Sequence, residues 1–105
     1  MPGATVINIK SGEPYDEYIG HQTPPFMSPR RKYLPRSIWR NPFNRALRDG
    51  LITRQEALEH YLAHVLSSPD LMARLPELEG KVLACWCKPK ACHGDVLVRL
   101  LESAR

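Results

Sequence analysis

Lys81-Val82-Leu83-Ala84-Cys85-Trp86-Cys87-Lys88-Pro89-Lys90-Ala91-Cys92-His93-Gly94-Asp95-Val96-Leu97 runs from an apolar, strand-like segment into a helical one. Val82, Leu83 and Ala84 predict a strand over 81–86, and Val96, Leu97, Leu100 and Leu101 recur at the spacing of a helix over 93–103. The join between them holds all three cysteines and one of the four histidines of the chain. Cys85 and Cys87 lie two apart on the strand end and therefore share one side, with Trp86 on the other. Cys92 and His93 open the helix. Thiolate and imidazole are ligands of zinc and iron–sulfur sites, and a thiol at a helix N-terminus is also a candidate nucleophile.

Outward from this junction, the β-branched run Ala4-Thr5-Val6-Ile7-Asn8-Ile9 predicts a first strand, followed by turn residues Ser11-Gly12-Glu13-Pro14. Residues 15–19 predict a short second strand closed by Gly20. A long Pro/Arg-rich loop at about 21–42 holds Pro24, Pro25, Pro29, Pro35 and Pro42; loops of that length are usually functional or mobile. Residues 44–49 predict a short helix stopped by Gly50. Thr53-Arg54-Gln55-Glu56 is a capping box opening a helix whose apolar face is Ala57, Leu58, Tyr61, Leu62, Val65 and Leu66. Ser68-Pro69 starts another helix, carrying Leu71, Met72 and Leu75. The order predicts an α/β fold: a small single-domain sandwich over residues 1–105, with a short, mostly parallel sheet and helices packed on it. In such folds ligands bind beyond the carboxyl ends of the strands, where the cysteines stand.

A chain of 105 residues supports one core, and 43% hydrophobic with 25% charged residues is ordinary globular composition. No apolar run reaches membrane-spanning length and no leader pattern opens the chain, so the expectation is a cytoplasmic protein without a membrane partner. The odd cysteine count speaks against a secreted disulfide framework. A net charge of +4 points to an anionic partner. Between 30 and 48 stand Arg30, Arg31, Lys32, Arg36, Arg40, Arg45 and Arg48 with no acidic residue, and Tyr33, Trp39 and Phe43 lie among them. Cations interleaved with rings suit phosphates and stacked bases, while a solvated loop would carry the same charges.

Three readings of the cluster follow. Cys85, Cys87 and Cys92, with His93 as fourth ligand, suit zinc or an iron–sulfur cluster, although C-x-C-x4-C-H is compressed beside ordinary zinc spacings. Alternatively, a metal-free site at the helix N-terminus would use Cys92 as reactive thiol, with His93 and Asp95 moving or orienting a proton. The third reading is structural packing.

Trp39-Arg40-Asn41-Pro42-Phe43, the 80–97 segment and Tyr15-Asp16-Glu17-Tyr18-Ile19-Gly20 together resemble the family catalogued as domain of unknown function 4326, found in bacteria, archaea and phages. Arg40 replaces a glycine common in that pattern, and His21 stands where an arginine is common. The resemblance implies a fold and motif positions and no reaction. If the three segments line one pocket, Asn41 offers a donor and an acceptor to a base edge, and Tyr18 or Trp39 a stacking ring. The expected function is to bind or process a nucleotide, nucleoside or nucleic-acid base, with Arg36, Arg40 and Arg45 on phosphate. The alternatives are a non-enzymatic nucleic-acid-binding module with a structural Cys3His metal site, and an interaction adaptor from a mobile element.

Overall fold

The computed structural model describes residues 4–28, 33–88 and 90–103. Arg30, Arg31, Lys32, Pro29 and Pro89 of the sequence reading lie outside that set. In chain order the elements are β1 (Thr5–Asn8), β2 (Glu17–Tyr18), α1 (Asn44–Arg48), α2 (Arg54–Leu66), α3 (Pro69–Arg74), β3 (Val82–Cys85) and α4 (His93–Ser103). The sheet has the order β1-β3-β2, and both pairings are parallel, so the fold is α/β as expected.

The strand richest in apolar residues takes the centre. Val6 pairs with Leu83 and Asn8 with Cys85 on one side, and Tyr18 pairs with Ala84 on the other. Leu83, Ala84 and Cys85 are fully buried. Alternation along β3 then splits the core. Leu83 and Cys85 face the helices, joining Ile19, Tyr61, Val65, Leu97 and Leu101. Ala84 and Trp86 face a smaller cluster of Ile9, Tyr18 and Leu34 beneath the Pro-rich loop. That loop is tied by an antiparallel bridge between Thr23 and Leu34 and holds a 3-10 turn at Pro25–Met27.

β1 stops at Asn8 because the Asn8 side chain caps a 3-10 turn, Ile9–Ser11, by accepting from the Lys10 amide. The capping box forms as the sequence indicates: Thr53 accepts from the Glu56 amide and Glu56 from the Thr53 amide. The apolar face of α2 is narrower than its sequence suggests. Ala57, Tyr61 and Val65, one row at i, i+4 and i+8, are buried, whereas Leu62 and Leu66 are exposed. Tyr61 donates from its hydroxyl to the Trp39 carbonyl at 2.7 Å, fastening the long loop to α2.

α4 sits close on the sheet because its second residue is Gly94. A Cβ there would lie 2.8 Å from Val6 Cγ1 and 2.9 Å from Ile19 Cδ1, so only glycine fits between β1 and the end of β2. Among the described residues no helix is long and apolar enough to cross a membrane.

Candidate functional site

At the carboxyl end of β3 the thiols of Cys85 and Cys92 meet. Cys85 Sγ and Cys92 Sγ are 3.1 Å apart, and both residues are fully buried. Cys87, two residues beyond Cys85, is half-buried and near enough for both sulfurs to act on its thiol. Hydrogen bonds from Cys85 and then Cys92, with help from Arg54, hold the Cys87 thiol far below its ordinary range. The same bonds, with burial, push the thiols of Cys85 and Cys92 up. The more accessible thiol is thus shifted toward its ionised form and the two buried ones toward their protonated forms. A tetrahedral ion with bonds of about 2.3 Å would hold sulfurs about 3.8 Å apart, wider than the Cys85–Cys92 contact. Among the described residues no group of three or more His, Cys, Asp or Glu side chains is arranged to hold a metal ion.

The start of α4 is built around the second half of the motif. Cys92 Sγ accepts from the Gly94 amide at 3.1 Å, and Asp95 Oδ2 accepts from the Cys92 amide at 3.1 Å. It is a variant of the capping box, with sulfur in the place of a hydroxyl and taking the second helical amide in place of the third. The other Asp95 oxygen receives Lys88 Nζ at 2.6 Å, so Asp95 closes the loop as well as the helix. His93, buried, points its Nε2 at the Ile19 carbonyl, 2.6 Å away, and meets the Tyr61 ring edge-on at 5.1 Å. Since a carbonyl only accepts, Nε2 carries the proton. Burial lowers the His93 pKa and keeps the ring neutral.

Two residues that sequence reasoning passed over hold the cysteine loop. Asn8 Nδ2 donates to the carbonyls of Trp86 and Lys88, at 3.2 and 2.6 Å. Arg54 Nη1 donates to the Ala91 carbonyl at 3.0 Å and acts on the Cys87 sulfur. Arg54 was legible only as a member of the capping box; its reach across 37 positions leaves no local signal.

The remaining expected site residues do not converge here. Tyr18 is buried, donates to the His21 carbonyl at 2.7 Å and accepts from Trp86 Nε1 at 2.7 Å. Trp39 is 3% exposed and part of the helix-side core, so its ring cannot stack on a ligand. Asn41 Oδ1 accepts from the Phe43 amide at 2.9 Å, a local turn. Arg40 lines a cleft of about 580 Å³ with Ile38, His64 and Arg74, and Arg36 lines a second with Ile38 and Arg74. Arg45 is solvent-exposed on α1, 3.7 Å from Asp49. His21 is exposed and stacks on Trp86 with centroids 6.2 Å apart, on the sheet face opposite Cys85 and Cys87.

A family model described as a domain of unknown function, DUF4326, matches residues 7–103. The chain belongs to the DUF4326 family. The match spans the three-cysteine centre, Asn8 and Arg54 alike. An uncharacterised protein of Acanthamoeba polyphaga mimivirus is 35% identical over 77 residues, covering 66% of this chain and 56% of that protein. An uncharacterised 12.4 kDa protein from the nrdA-td intergenic region of Enterobacteria phage T4 is 34% identical over 54 residues, 48% of this DUF4326 chain and 50% of its own. The chain thus spans about half the length of these curated relatives. No solved structure matches it significantly.

Proposed function

We propose that the protein binds a nucleotide, nucleoside or nucleic-acid base at the carboxyl end of β3 and processes it through the Cys87 thiolate. The observation that carries this reading is the contrast in exposure among the thiols: Cys87 is half-buried and open to solvent on one side, while Cys85 and Cys92, 3.1 Å apart, are fully buried. A thiolate is the nucleophilic form of cysteine, and two S–H donors at its side stabilise it without a metal. Arg54 beside the loop gives a phosphate a cation at that edge, next to the Lys88–Asp95 ion pair. In this reading His93 and Asp95 position the helix start and the loop, and Cys87 takes the nucleophilic role first assigned to Cys92.

Alkylation tests it. Iodoacetamide at pH 7 should modify Cys87 at least tenfold faster than Cys85 or Cys92, as read by peptide mass spectrometry. A saturating mononucleotide should slow that reaction in the parent protein and fail to do so in Arg54→Ala. Equal labelling of the three cysteines, or no protection by any nucleotide, nucleoside or base, contradicts the proposal.

A second reading has its own support. Arg36, Arg40 and Arg74 lie along two clefts that share Ile38 and Arg74, a surface suited to a polynucleotide backbone bound without chemistry. Salt-sensitive binding of a long oligonucleotide, lost on reversing Arg40 and Arg74 to glutamate and indifferent to Arg54→Ala, would favour it.

A further inference from the structure

We propose that Cys85, Cys87 and Cys92 form a thiol redox centre that reduces a hydroperoxide and stores the oxidation as a Cys85–Cys92 disulfide. It rests on the arrangement of the sulfurs, independently of any nucleotide. Cys85 Sγ and Cys92 Sγ are already in contact at 3.1 Å, one on the last residue of the central strand and the other at the start of α4. Closing that contact to a bond of about 2.05 Å asks for a shift of about 1 Å, small enough for side-chain rotation. Both residues are 0–1% exposed, so an oxidant in solution cannot meet them directly. Cys87, two residues beyond Cys85 on the same side of the strand, is the half-buried member, which makes it the point of entry.

The chemistry balances in three steps. The Cys87 sulfur attacks the outer oxygen of a hydroperoxide, the O–O bond breaks, and an alcohol or water leaves with one proton, giving the sulfenic acid. The Cys92 thiol attacks the Cys87 sulfur, forms a disulfide and releases water. Cys85 then attacks the Cys92 sulfur, closing Cys85–Cys92 and returning Cys87 as a thiol. The net result is one peroxide reduced and two thiols oxidised, with no metal or further reductant. A thiol-class reductant reopens the pair. Because the Gly94 amide donates to Cys92 Sγ, oxidation also withdraws electron density from the acceptor that caps α4.

The test begins with fully reduced protein in buffer containing a chelator, given one equivalent of hydrogen peroxide. Titratable thiols should fall from three to one, a non-reducing peptide map should link Cys85 to Cys92, and dithiothreitol should restore all three. Gly94 amide exchange should quicken severalfold in the oxidised form. Cys87→Ser should oxidise at least tenfold more slowly; should that variant not fold, the peptide map of the parent protein alone decides. Loss of a single thiol with the oxide retained on Cys87, intermolecular dimers, or a Cys87→Ser protein that oxidises at the parent rate would overturn the proposal. Nucleotide protection of Cys87 is a separate readout and can succeed or fail without touching this one.

Discussion

At His93, burial opposes the second proton more strongly than the Ile19 carbonyl and the nearby Cys87 and Asp95 favour it, so the folded protein holds a neutral ring. The unfolded chain takes up that proton near pH 6.5. Below that value the unfolded state binds more protons than the native one, and stability falls as pH falls. Urea midpoints read at pH 7.5, 6.5 and 5.5 should decline, by up to about 1.4 kcal/mol per pH unit once the unfolded ring is charged. His93→Gln keeps an N–H for the Ile19 carbonyl and should flatten the decline. An unchanged slope in that variant would move the effect to other groups. The buried, neutral, carbonyl-bound ring thus holds the beginning of α4 against the end of β2, and Asp95 holds the loop that follows β3.

Among the elements, α2 does two jobs, covering the sheet and anchoring the long loop, and Tyr61 joins them. Its hydroxyl satisfies the carbonyl of buried Trp39. Tyr61→Phe keeps the ring and strands that oxygen, so it should cost about 1–3 kcal/mol in denaturant unfolding. A loss under about 0.5 kcal/mol would mean that the carbonyl finds water instead. Elements with a local signature were legible in the sequence. The β3–α4 junction announces itself by a change of period from Leu83 to Leu97, and the start of α2 by Thr53 and Glu56. What was illegible depends on distant contacts. Trp39, set among arginines and prolines, reads as an exposed ring, yet the chain folds it under α2. Asn8 looks like a strand residue and meets the cysteine loop across 78 and 80 positions. The convergence of the cysteines was visible because a short loop separates them, whereas their division into one accessible and two buried thiols required the packing of α4 against β3.

At the scale of the whole molecule, the basic residues that are candidate ligand contacts fall in separate regions. Arg36, Arg40 and Arg74 line clefts that reach the C-terminal part of α2 and α3, while Arg54 and Lys88 attend the cysteine loop at the opposite, N-terminal end of α2. With a helix rise of about 1.5 Å per residue, Arg54 and His64 stand about 15 Å apart along α2, too far for one phosphate to bridge. The cleft arginines and the cations of the cysteine loop are therefore separate groups, and the proposed ligand site is the one at the cysteine end. Amide and arginine-side-chain NMR shifts during titration with a mononucleotide test that placement most directly. The account predicts changes concentrated at Arg54, Cys87, Lys88, Gly94 and Asp95. Changes confined to Ile38, Arg40 and Arg74, or none at all, would contradict it.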